Sequence, residues 1–370
     1  MTDYQIFYRD PWGNLITVIT EFFQLDMVRK ENDWGSLQLD LPPIYPTGFF
    51  KRDGKLEVWR TAPGRVMYME GETPFFIRKI IYKDDEQGRN RIHILAHDAV
   101  QIIDRRIIVP DTALAHSKKT GNADNLMKAV IRENFGTLAD DVLRNQSTHL
   151  SVAVDLSNGL SITDEFQWQK ILPLLQKWAQ QSTDGGIYLA FDVVYTSPTT
   201  LEFRTYTTAR GVNRGASSGN SYILGTDGSG LSYASATFDY TQETTFVYAG
   251  GNGEYPTQII KTASDSTRIY TSPFSRIEDY VDATDDDPIV IQSRANQLLQ
   301  SRLSKFAING HIEQGPQSIY GVHYGFGDIV SVNYHGFTVD VHLDGVEIIV
   351  DETGREEIRM MARNLEESYY

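Results

Sequence analysis

The sequence has no cysteine among its 370 residues. Disulfide bonds, thiolate zinc sites and cysteine nucleophiles are therefore excluded. It also has no run of eighteen apolar residues, so we expect no membrane-spanning helix. The opening segment Met1–Arg9 has neither a basic flank nor an apolar stretch, so no signal peptide is predicted there.

The motifs of common catalytic and cofactor sites are missing as well. None of the eight histidines falls in an HExxH pair, and no serine lies in a predicted strand-turn-helix elbow. The segment Gly250-Gly251-Asn252-Gly253 lacks the Lys-Ser/Thr of a phosphate-binding loop. The aspartates at 282 and 285–287 lack the spacing of an EF-hand. We therefore expect no catalytic residue, cofactor or metal.

Basic residues are fewer than acidic residues in this chain. The chain has 34 basic and 49 acidic residues, which gives a formal net charge of −15. A surface this acidic repels nucleic-acid phosphates. The two short basic pairs, Arg105-Arg106 and Lys118-Lys119, are typical of solvated surface charge. Stable binding of nucleic acid is therefore not expected.

The residues that are abundant favour a β-rich protein with a few helices. The chain has 20 Tyr and 17 Phe beside many Val, Ile and Thr, a mixture typical of half-buried strands. Six or seven short strands are predicted between residues 4 and 100, with a turn at Asp10–Asn14. Strands this short and closely spaced favour a small barrel or sandwich.

Four helices are predicted in the rest of the chain: Asp98–Arg105, Ala123–Phe135, Ile162–Gln181 and Ile289–Phe306. Apolar residues at three- and four-residue spacing define the second and third helices. Thr163 or Asp164 is expected to cap the third helix, and Pro173 to kink it or to mark two shorter helices. The aspartates before Pro288 are typical of a helix N-terminus.

Strands and turns are predicted between and after these helices. Ile187–Val194 and Thr200–Thr207 have the pattern of a hairpin. The Gly-, Ser- and Asn-rich stretch 209–230 is predicted to be a long exposed loop with one short strand. Gly250–Pro256 is predicted to be a turn, and Gly327–Arg363 to be strands joined by turns.

A short internal repeat links the two ends of the chain. Residues 85–98 (DEQGRNRIHILAHD) and 351–364 (DETGREEIRMMARN) align without a gap and share six identities, including Gly88 with Gly354. Each copy is predicted to be a hairpin preceded by a strand that starts at Gly54 or Gly327. Acidic-glycine hairpins are common, so a chance match stays open. The alternative is two related β-barrels, which would let a trimer imitate a sixfold ring.

The predicted fold is therefore α+β and β-rich, with two β-barrels separated by mixed α/β domains. Residues 1–106 are assigned to the first barrel, and 107–245 to an α/β middle domain that includes the exposed loop 209–230. Residues 246–310 are assigned to a connector with the helix 289–306. Residues 311–370 complete the second barrel.

The order of several segments resembles the gene-product-37-like family of siphovirus tail proteins, among the tail-hub proteins of long-tailed phages. The segments that carry the resemblance are Arg9-Asp10-Pro11, Asp33–Pro42 (DWGSLQLDLP), Gly88–Ile103, Ala123–Phe135, Gln169–Ala179, Tyr248–Glu254 and Ser275–Asp282. One departure is that the glycine-rich turn continues into Tyr255-Pro256.

The resemblance implies a non-enzymatic baseplate hub, similar to the contractile-phage hub, with tail-tube-like barrels and a homotrimeric ring. It places the protein at the tail tip of the virion, assembled in the host cytoplasm. The implied partners are the distal tail protein or tail tube protein, the tape measure protein, and tip, spike or fibre proteins. DNA would pass transiently through an acidic lumen that repels it. The candidate interface residues are Gly250, Gly251, Asn252, Gly253, Gly88 and Gly354.

Two other functions stay open from the residues alone. A carbohydrate- or receptor-binding tail module could stack sugars on exposed aromatic side chains. The candidates for this role are Trp12, Tyr45, Tyr222 and Tyr369. A peptidoglycan hydrolase could use two carboxylates that are close in space but distant in sequence.

Overall fold

A computed structural model describes residues 3–61, 66–84, 90–109, 117–139, 141–225, 230–254, 256–283, 286–303, 305–315 and 318–363. Within these ranges the chain forms 23 strands and four α-helices. The β-rich character predicted from the composition is confirmed. No helix in these ranges is long and apolar enough to span a membrane.

The strands and helices have the following bounds. The first eight strands are β1 Asp3–Arg9, β2 Leu15–Ile19, β3 Gln24–Lys30, β4 Ser36–Leu41, β5 Lys55–Thr61, β6 Tyr68–Met69, β7 Phe75–Asp84 and β8 Asn90–Asp98. The next are β9 Ser117–Asn122, β10 Leu150–Val152, β11 Ser161–Phe166, β12 Ala190–Ser197, β13 Thr200–Tyr206, β14 Asn213–Arg214 and β15 Ile223–Gly225. The last are β16 Leu231–Asp239, β17 Phe246–Gly250, β18 Ile260–Ser264, β19 Glu278–Asp282, β20 Lys305–Ile312, β21 Ile329–Tyr334, β22 Phe337–Asp351 and β23 Glu356–Arg363. The helices are α1 Gln101–Asp104, α2 Ala123–Phe135, α3 Ile171–Asp184 and α4 Pro288–Ser301.

Fifteen of these strands form one large sheet. Its hydrogen-bonded order is β16-β20-β23-β22-β3-β4-β8-β7-β5-β1-β2, while β6 joins β5 and β21 joins β22, β14 and β15. Alternate residues face the core: in β3, Leu25 and Met27 are fully buried, whereas Gln24 and Lys30 are exposed. In the described part of the chain this order is an open path, so two closed barrels stay a prediction.

The two halves of this sheet have the same strand arrangement. β5, β7, β8, β4 and β3 correspond, neighbour by neighbour, to β21, β22, β23, β20 and β16. The 266-residue shift that aligns the sequence repeat carries Ile80 onto Val346 and Ile94 onto Met360. Ile80 is the cross-strand partner of Ile94, and Val346 is the partner of Met360. The sequence repeat is therefore also a structural repeat with the same pairing register.

An irregularity in the ladder recurs at the equivalent place. The β7–β8 register shifts between Ile77 and Lys79, and the β22–β23 register shifts between His342 and Gly345. A bulge of this kind leaves a residue unpaired and bends the strand, so both hairpins bend at the same point. Residues 85–89, which include Gly88, lie outside the described residues.

The strand before each hairpin also corresponds, but with an offset of one residue from the sequence alignment. Gly327 has φ 84° and occupies the place of Asp53, which has φ 60°, rather than that of Gly54. Matching Gly54 with Gly327 assumed that glycine occupies the position of positive φ in both copies, because glycine adopts positive φ most often. In the first copy Asp53 occupies that position instead. β6 and a short 3-10 turn lengthen the first copy, whereas a two-residue turn joins β21 to β22.

A second core belongs to the middle of the chain. α2 and α3 pack around it with the three-stranded sheet β10-β13-β12. The predicted helix Ala123–Phe135 and the hairpin β12–β13 are confirmed, although β12 begins at Ala190 instead of Ile187. Trp178 of α3 is fully buried, and its indole N–H donates to an Asp164 carboxylate oxygen at 2.9 Å.

The predicted start of the third helix is wrong. Residues 161–166 form β11, which pairs with β9, and α3 begins only at Ile171. Asp164, expected to cap the helix, lies in β11 and accepts hydrogen bonds from Lys177 and Trp178 instead. Pro173 does not lie mid-helix but in the first turn, where its missing N–H has no intrahelical acceptor to lose.

Two other helices are shorter than predicted. Asp98 ends β8 and precedes α1, which is only four residues long. Phe306, expected at the end of α4, lies in β20, because apolar side chains in a buried strand and a buried helix look alike over a few residues. The N-terminus of α4 is as predicted, since the Asp287 carboxylate accepts from the Ile289 N–H at 2.8 Å.

A third small core is inserted into the large sheet. α4 packs there on the three-stranded sheet β18-β17-β19. This unit lies between β16 and β20 in the chain, yet β16 and β20 pair with each other. Three strands of the predicted middle domain 107–245, β14, β15 and β16, therefore belong to the large sheet. Pairing across an insertion leaves no local signal in the sequence.

The segment 209–230 contains the short strand predicted at Tyr222–Leu224, observed as β15, but it also contains β14 and is paired with the large sheet. β14 and β15 both pair in parallel with β21. The Val212 N–H donates to Asp328 Oδ1 at 2.6 Å, which fixes the start of the segment to the large sheet. Residues 226–229 lie outside the described residues.

Candidate assembly site: the junction of the two halves

The two halves meet along one antiparallel ladder. Gly345–Asp351 of β22 pairs with Gln24–Lys30 of β3, and Ile348 lies opposite Met27 with both side chains fully buried. The second half thus continues the first half's sheet, and the equivalent hairpins become parts of one rigid surface. We call this ladder the internal junction.

Beside the internal junction, a buried arginine ties the first half to the second. The Arg60 side chain is fully buried and donates to Glu356 at 2.6 Å, to the Tyr320 carbonyl oxygen at 2.6 Å and to the Tyr4 hydroxyl at 2.9 Å. The Tyr320 hydroxyl in turn donates to Glu70 at 2.9 Å, and burial raises the pKa of Glu70. Buried charges are tolerated here because each has partners of opposite charge or hydrogen-bond donors.

We call α2, α3 and the sheet β10-β13-β12 the middle unit. A second ionic cluster ties this middle unit to the large sheet. Arg29 of β3 contacts Asp98 at 3.1 Å and Asp192 of β12 at 3.3 Å, and Arg210 contacts Asp192 at 2.7 Å. The Gly35 N–H donates to Asp98 at 2.8 Å. Burial raises the pKa of Asp98 to about 7, against the opposing effect of Arg29. The cluster fixes the orientation of β12 on β3.

A third cluster lies at the end of the internal junction. The Tyr188 hydroxyl donates to Glu31 Oε2 at 2.6 Å, and His342 Nε2 lies 3.3 Å from the same oxygen and 3.0 Å from the Gly327 carbonyl oxygen. Burial raises the pKa of Glu31 to about 7 and lowers that of His342 to about 4. Glu31 lines a cleft of about 1180 Å³ between α3, α4 and the large sheet.

The first two clusters are buried ion pairs, whereas in the third the Tyr188 hydroxyl and His342 contact Glu31 through hydrogen-bonding groups. Within the described ranges, no group of three or more His, Asp or Glu side chains could hold a metal ion.

Residues Gly215–Gly219 fit the G-x-S-x-G pattern of a serine nucleophile. Ser217 there lies between two short strands that both pair with β21, not in a turn from strand to helix.

The predicted interface glycines lie on different sheets. Gly250 ends β17, and an added Cβ would lie 2.1 Å from the Tyr280 hydroxyl, so that side chain would have to move. Gly253 has φ 96°, a left-handed conformation that glycine adopts without strain, and open space around it. Gly354, with φ 75°, forms the β22–β23 turn, where Asp351 accepts from the Thr353 N–H. Their role as an interface stays a prediction.

The aromatic residues proposed to stack on sugars differ in exposure. Trp12 is 75% exposed, whereas Tyr45 and Tyr222 are partly buried against the large core. Tyr222 stacks on Tyr324 with ring centroids 5.3 Å apart. Tyr369 lies outside the described residues. Of these candidates in the described residues, Trp12 alone is largely exposed.

Sequence reasoning missed the buried arginines. A signal was present: Arg29 follows Leu25 and Met27 at the period of two that defines the buried face of β3. A charge at a core position of a strand indicates a buried ion pair. Its partners, Asp98 and Asp192, are 69 and 163 residues away, so only the fold could identify them.

Comparison with known families identifies the chain. The model of the family described as Siphovirus ReqiPepy6 Gp37-like protein matches residues 4–361. The chain belongs to this family. The resemblance inferred from the order of the sequence motifs is thereby confirmed. No curated protein sequence matches the chain.

Solved structures of tail proteins share this Gp37-like fold over nearly the whole chain. The tail protein from Neisseria meningitidis MC58 has a TM-score of 0.62 at 13% identity, covering 98% of this chain and 97% of that chain. The 43 kDa tail protein of prophage MuSo2 from Shewanella oneidensis has a TM-score of 0.60 at 13% identity, covering 97% and 98%. Prophage tail protein gp18 from Listeria monocytogenes EGD-e has a TM-score of 0.55 at 13% identity, covering 96% and 94%. At these identities the similarity shows a common fold.

Proposed function

We propose that this Gp37-like protein is a structural hub of the phage tail tip, built as a homotrimeric ring. The observation that carries the proposal is the structural repeat, in which two half-sheets of one chain share strand order and register. A subunit with two equivalent halves presents six equivalent elements in a trimer. Such a ring matches a sixfold tube on one side and threefold proteins on the other.

The composition of the core supports a mechanical role. Three buried polar clusters join the two halves and the middle unit, and two of them contain ion pairs that are costly to break. A hub must transmit force between tube and tip without changing its internal geometry. Fixed ion pairs between units serve that purpose better than a flexible linker would.

The proposed position determines the partners. On the tube side the hub would contact the distal tail protein or tail tube protein and enclose the end of the tape measure protein. On the other side it would hold tip, spike or fibre proteins. Each half of the sheet would form one tail-tube-like barrel wall, and the net charge of −15 would keep passing DNA from adhering to the lumen. The assembly would take place in the host cytoplasm and end in the virion.

The test is the mass and shape of the purified chain over a range of concentrations, with and without the distal tail protein. We expect a species at three times the chain mass of 41.9 kDa, with six lobes in averaged images. A chain that stays monomeric at every concentration, and does not assemble on the distal tail protein, would overturn the proposal. The tube protein of an unrelated phage serves as the control for nonspecific assembly.

A further inference from the structure

Two equivalent strand edges of the structural repeat, one on β7 and one on β22, differ in whether another strand covers them. In the internal junction, Gly345–Asp351 of β22 is covered by β3. The equivalent edge in the first half is Lys79–Asp84 of β7, which in the described residues pairs only with β8. Ile348 is fully buried, whereas Tyr82 at the equivalent position is 43% exposed. Among the residues that the structure describes, the first half thus has the hairpin edge without a strand that covers it.

The covering strand has its own equivalent at the other end of the sheet. β3 pairs with β4, and β16 pairs with β20, which occupies the place of β4. Matching these two ladders carries Met27 onto Ala236, Val28 onto Thr237 and Arg29 onto Phe238. β16 is the terminal strand of the large sheet's order. In the described residues each chain therefore has one hairpin edge, on β7, and one covering strand, β16, with six strands of the sheet between them.

We propose that β7 of one copy pairs antiparallel with β16 of a second copy, in the register of the internal junction. Transferring that register gives five cross-strand pairs: Lys79 with Asp239, Ile80 with Phe238, Ile81 with Thr237, Tyr82 with Ala236 and Lys83 with Ser235. The ladder ends where β16 shifts register between Ser232 and Ser235. This interface deepens the trimer of the proposed function, on which it rests, by naming the surface that forms it.

The side chains brought together by this register are complementary. Ile80 and Ala236 both pack against the edge of the large core, so the pairs on this face are apolar. Phe238, 43% exposed and opposite Ile80, packs on Phe306 with ring centroids 4.9 Å apart. On the opposite face, Lys79 meets an aspartate, a favourable cross-strand pair. A shift by one residue would place the apolar side chains on the wrong face.

The contact is head-to-tail, since it joins two different strands of the chain. Such contacts give closed rings when the rotation between copies closes, and open filaments when it does not. In a closed ring the internal junction and the interface between copies alternate around the circle. All the half-sheets would then belong to one continuous wall.

The absence of cysteine in the chain makes the register directly testable. In the internal junction the Glu31 N–H donates to the Asp344 carbonyl oxygen at 2.8 Å, which marks the hydrogen-bonded pairs. Counting from there, Val28 and Glu347 form a non-hydrogen-bonded pair, and so would Ile81 and Thr237. The Cα atoms of such pairs are about 4.5 Å apart, within reach of a disulfide.

The experiment is mild oxidation of the Ile81→Cys/Thr237→Cys variant of the full chain at high concentration, followed by mass analysis without reductant. We expect linked species at two and three times the chain mass of 41.9 kDa. Lys83→Cys/Ser235→Cys tests the same register if the first variant does not fold. Val28→Cys/Glu347→Cys is the positive control, because its disulfide forms within one chain without a change of mass. Ile81→Cys/Ala236→Cys is the slipped control.

Each outcome has a definite meaning. Linked trimers from the Ile81 and Thr237 pair, with little linkage in the slipped control, support the interface. A trimer by mass that forms no such link overturns the interface but leaves the proposed hub. A slipped control that links equally well overturns the register. A monomer without links overturns the interface, and it overturns the hub as well if the unmodified chain also fails to assemble on the distal tail protein.

Discussion

The two halves of the large sheet share a bulged hairpin but differ in the strands that flank it. The hairpins β7–β8 and β22–β23 have the same register and the same bulge. On the outer side, β5 pairs antiparallel with β1, whereas β21 pairs in parallel with the short strands β14 and β15. On the inner side, β22 is covered by β3, and the equivalent edge of β7 is more exposed. The hairpin with its bend is thus the part that the repeat preserves, while the flanking strands adapt to each half's surroundings.

The largest expected effect comes from breaking the contact between the halves at Arg60. Replacing Arg60→Met leaves Glu356 and Glu70 buried without their cation, which costs about 3–5 kcal/mol of unfolding free energy. Urea unfolding monitored by circular dichroism measures this. Arg52→Met is the matched control, because the Arg52 side chain is 85% exposed and about 0–1 kcal/mol is expected. Equal losses in both variants would contradict the role of Arg60.

Equivalent positions in the two hairpins should respond unequally to the same change. Ile348→Ala removes a fully buried side chain at the internal junction and should cost about 2–5 kcal/mol. Tyr82→Ala at the equivalent edge should cost the isolated chain no more than about 1 kcal/mol, because the side chain is 43% exposed. The Tyr82 variant should instead weaken association of copies. Comparable destabilisation of the monomer by both variants would show that the two edges are equally covered.

The pH dependence of stability should report the cluster at Glu31. Its folded pKa of about 7 lies above the ordinary value of 4.5, so its stabilising contribution is complete below pH 4.5 and is lost as the pH rises through 7. His342, with a folded pKa of about 4, acts in the opposite direction and loses its contribution as the pH falls from 6.5.

Comparing Glu31→Gln with the wild type isolates the first effect, because His342 is present in both. The free energy of unfolding of the variant, measured by urea unfolding, should rise relative to that of the wild type between pH 5 and 8, by an amount on the order of 2 kcal/mol. Glu21→Gln, at an exposed carboxylate, should leave the difference constant. A difference that does not change with pH would mean that Glu31 is ionised throughout.

The smallest expected effect is that of the charge pair across the proposed interface. Lys79→Asp places a like charge opposite Asp239 and should weaken association by about 1 kcal/mol, roughly fivefold. The exchanged variant Lys79→Asp/Asp239→Lys should recover most of this loss. Sedimentation at low salt measures both. If the exchange does not restore association, the two residues are not opposite each other.

Much of the architecture was accessible from local patterns. The β-rich class, α2, the cap of α4 and the hairpin β12–β13 were predicted, because period, capping residues and turn residues act over a few positions. The hairpin repeat and the family were also visible. The start of α3 was not, because Asp164 has the spacing of a cap but lies in a strand, where its carboxylate satisfies the buried Trp178 indole. Here a tertiary contact decides the conformation of a segment whose local preference is ambiguous.

For the candidate site, too, some features follow from the local sequence and others only from the tertiary structure. The sequence by itself determined that the two ends of the chain carry like hairpins, since six shared residues fix turn and register locally. Only the tertiary structure decided that β3 covers β22 and that β16 is a terminal strand of the large sheet. It also decided which carboxylates pair with Arg29 and Arg60. These are pairings between residues tens to hundreds of positions apart. They depend on which buried faces and charges meet when the chain closes on itself, and no local pattern carries that information.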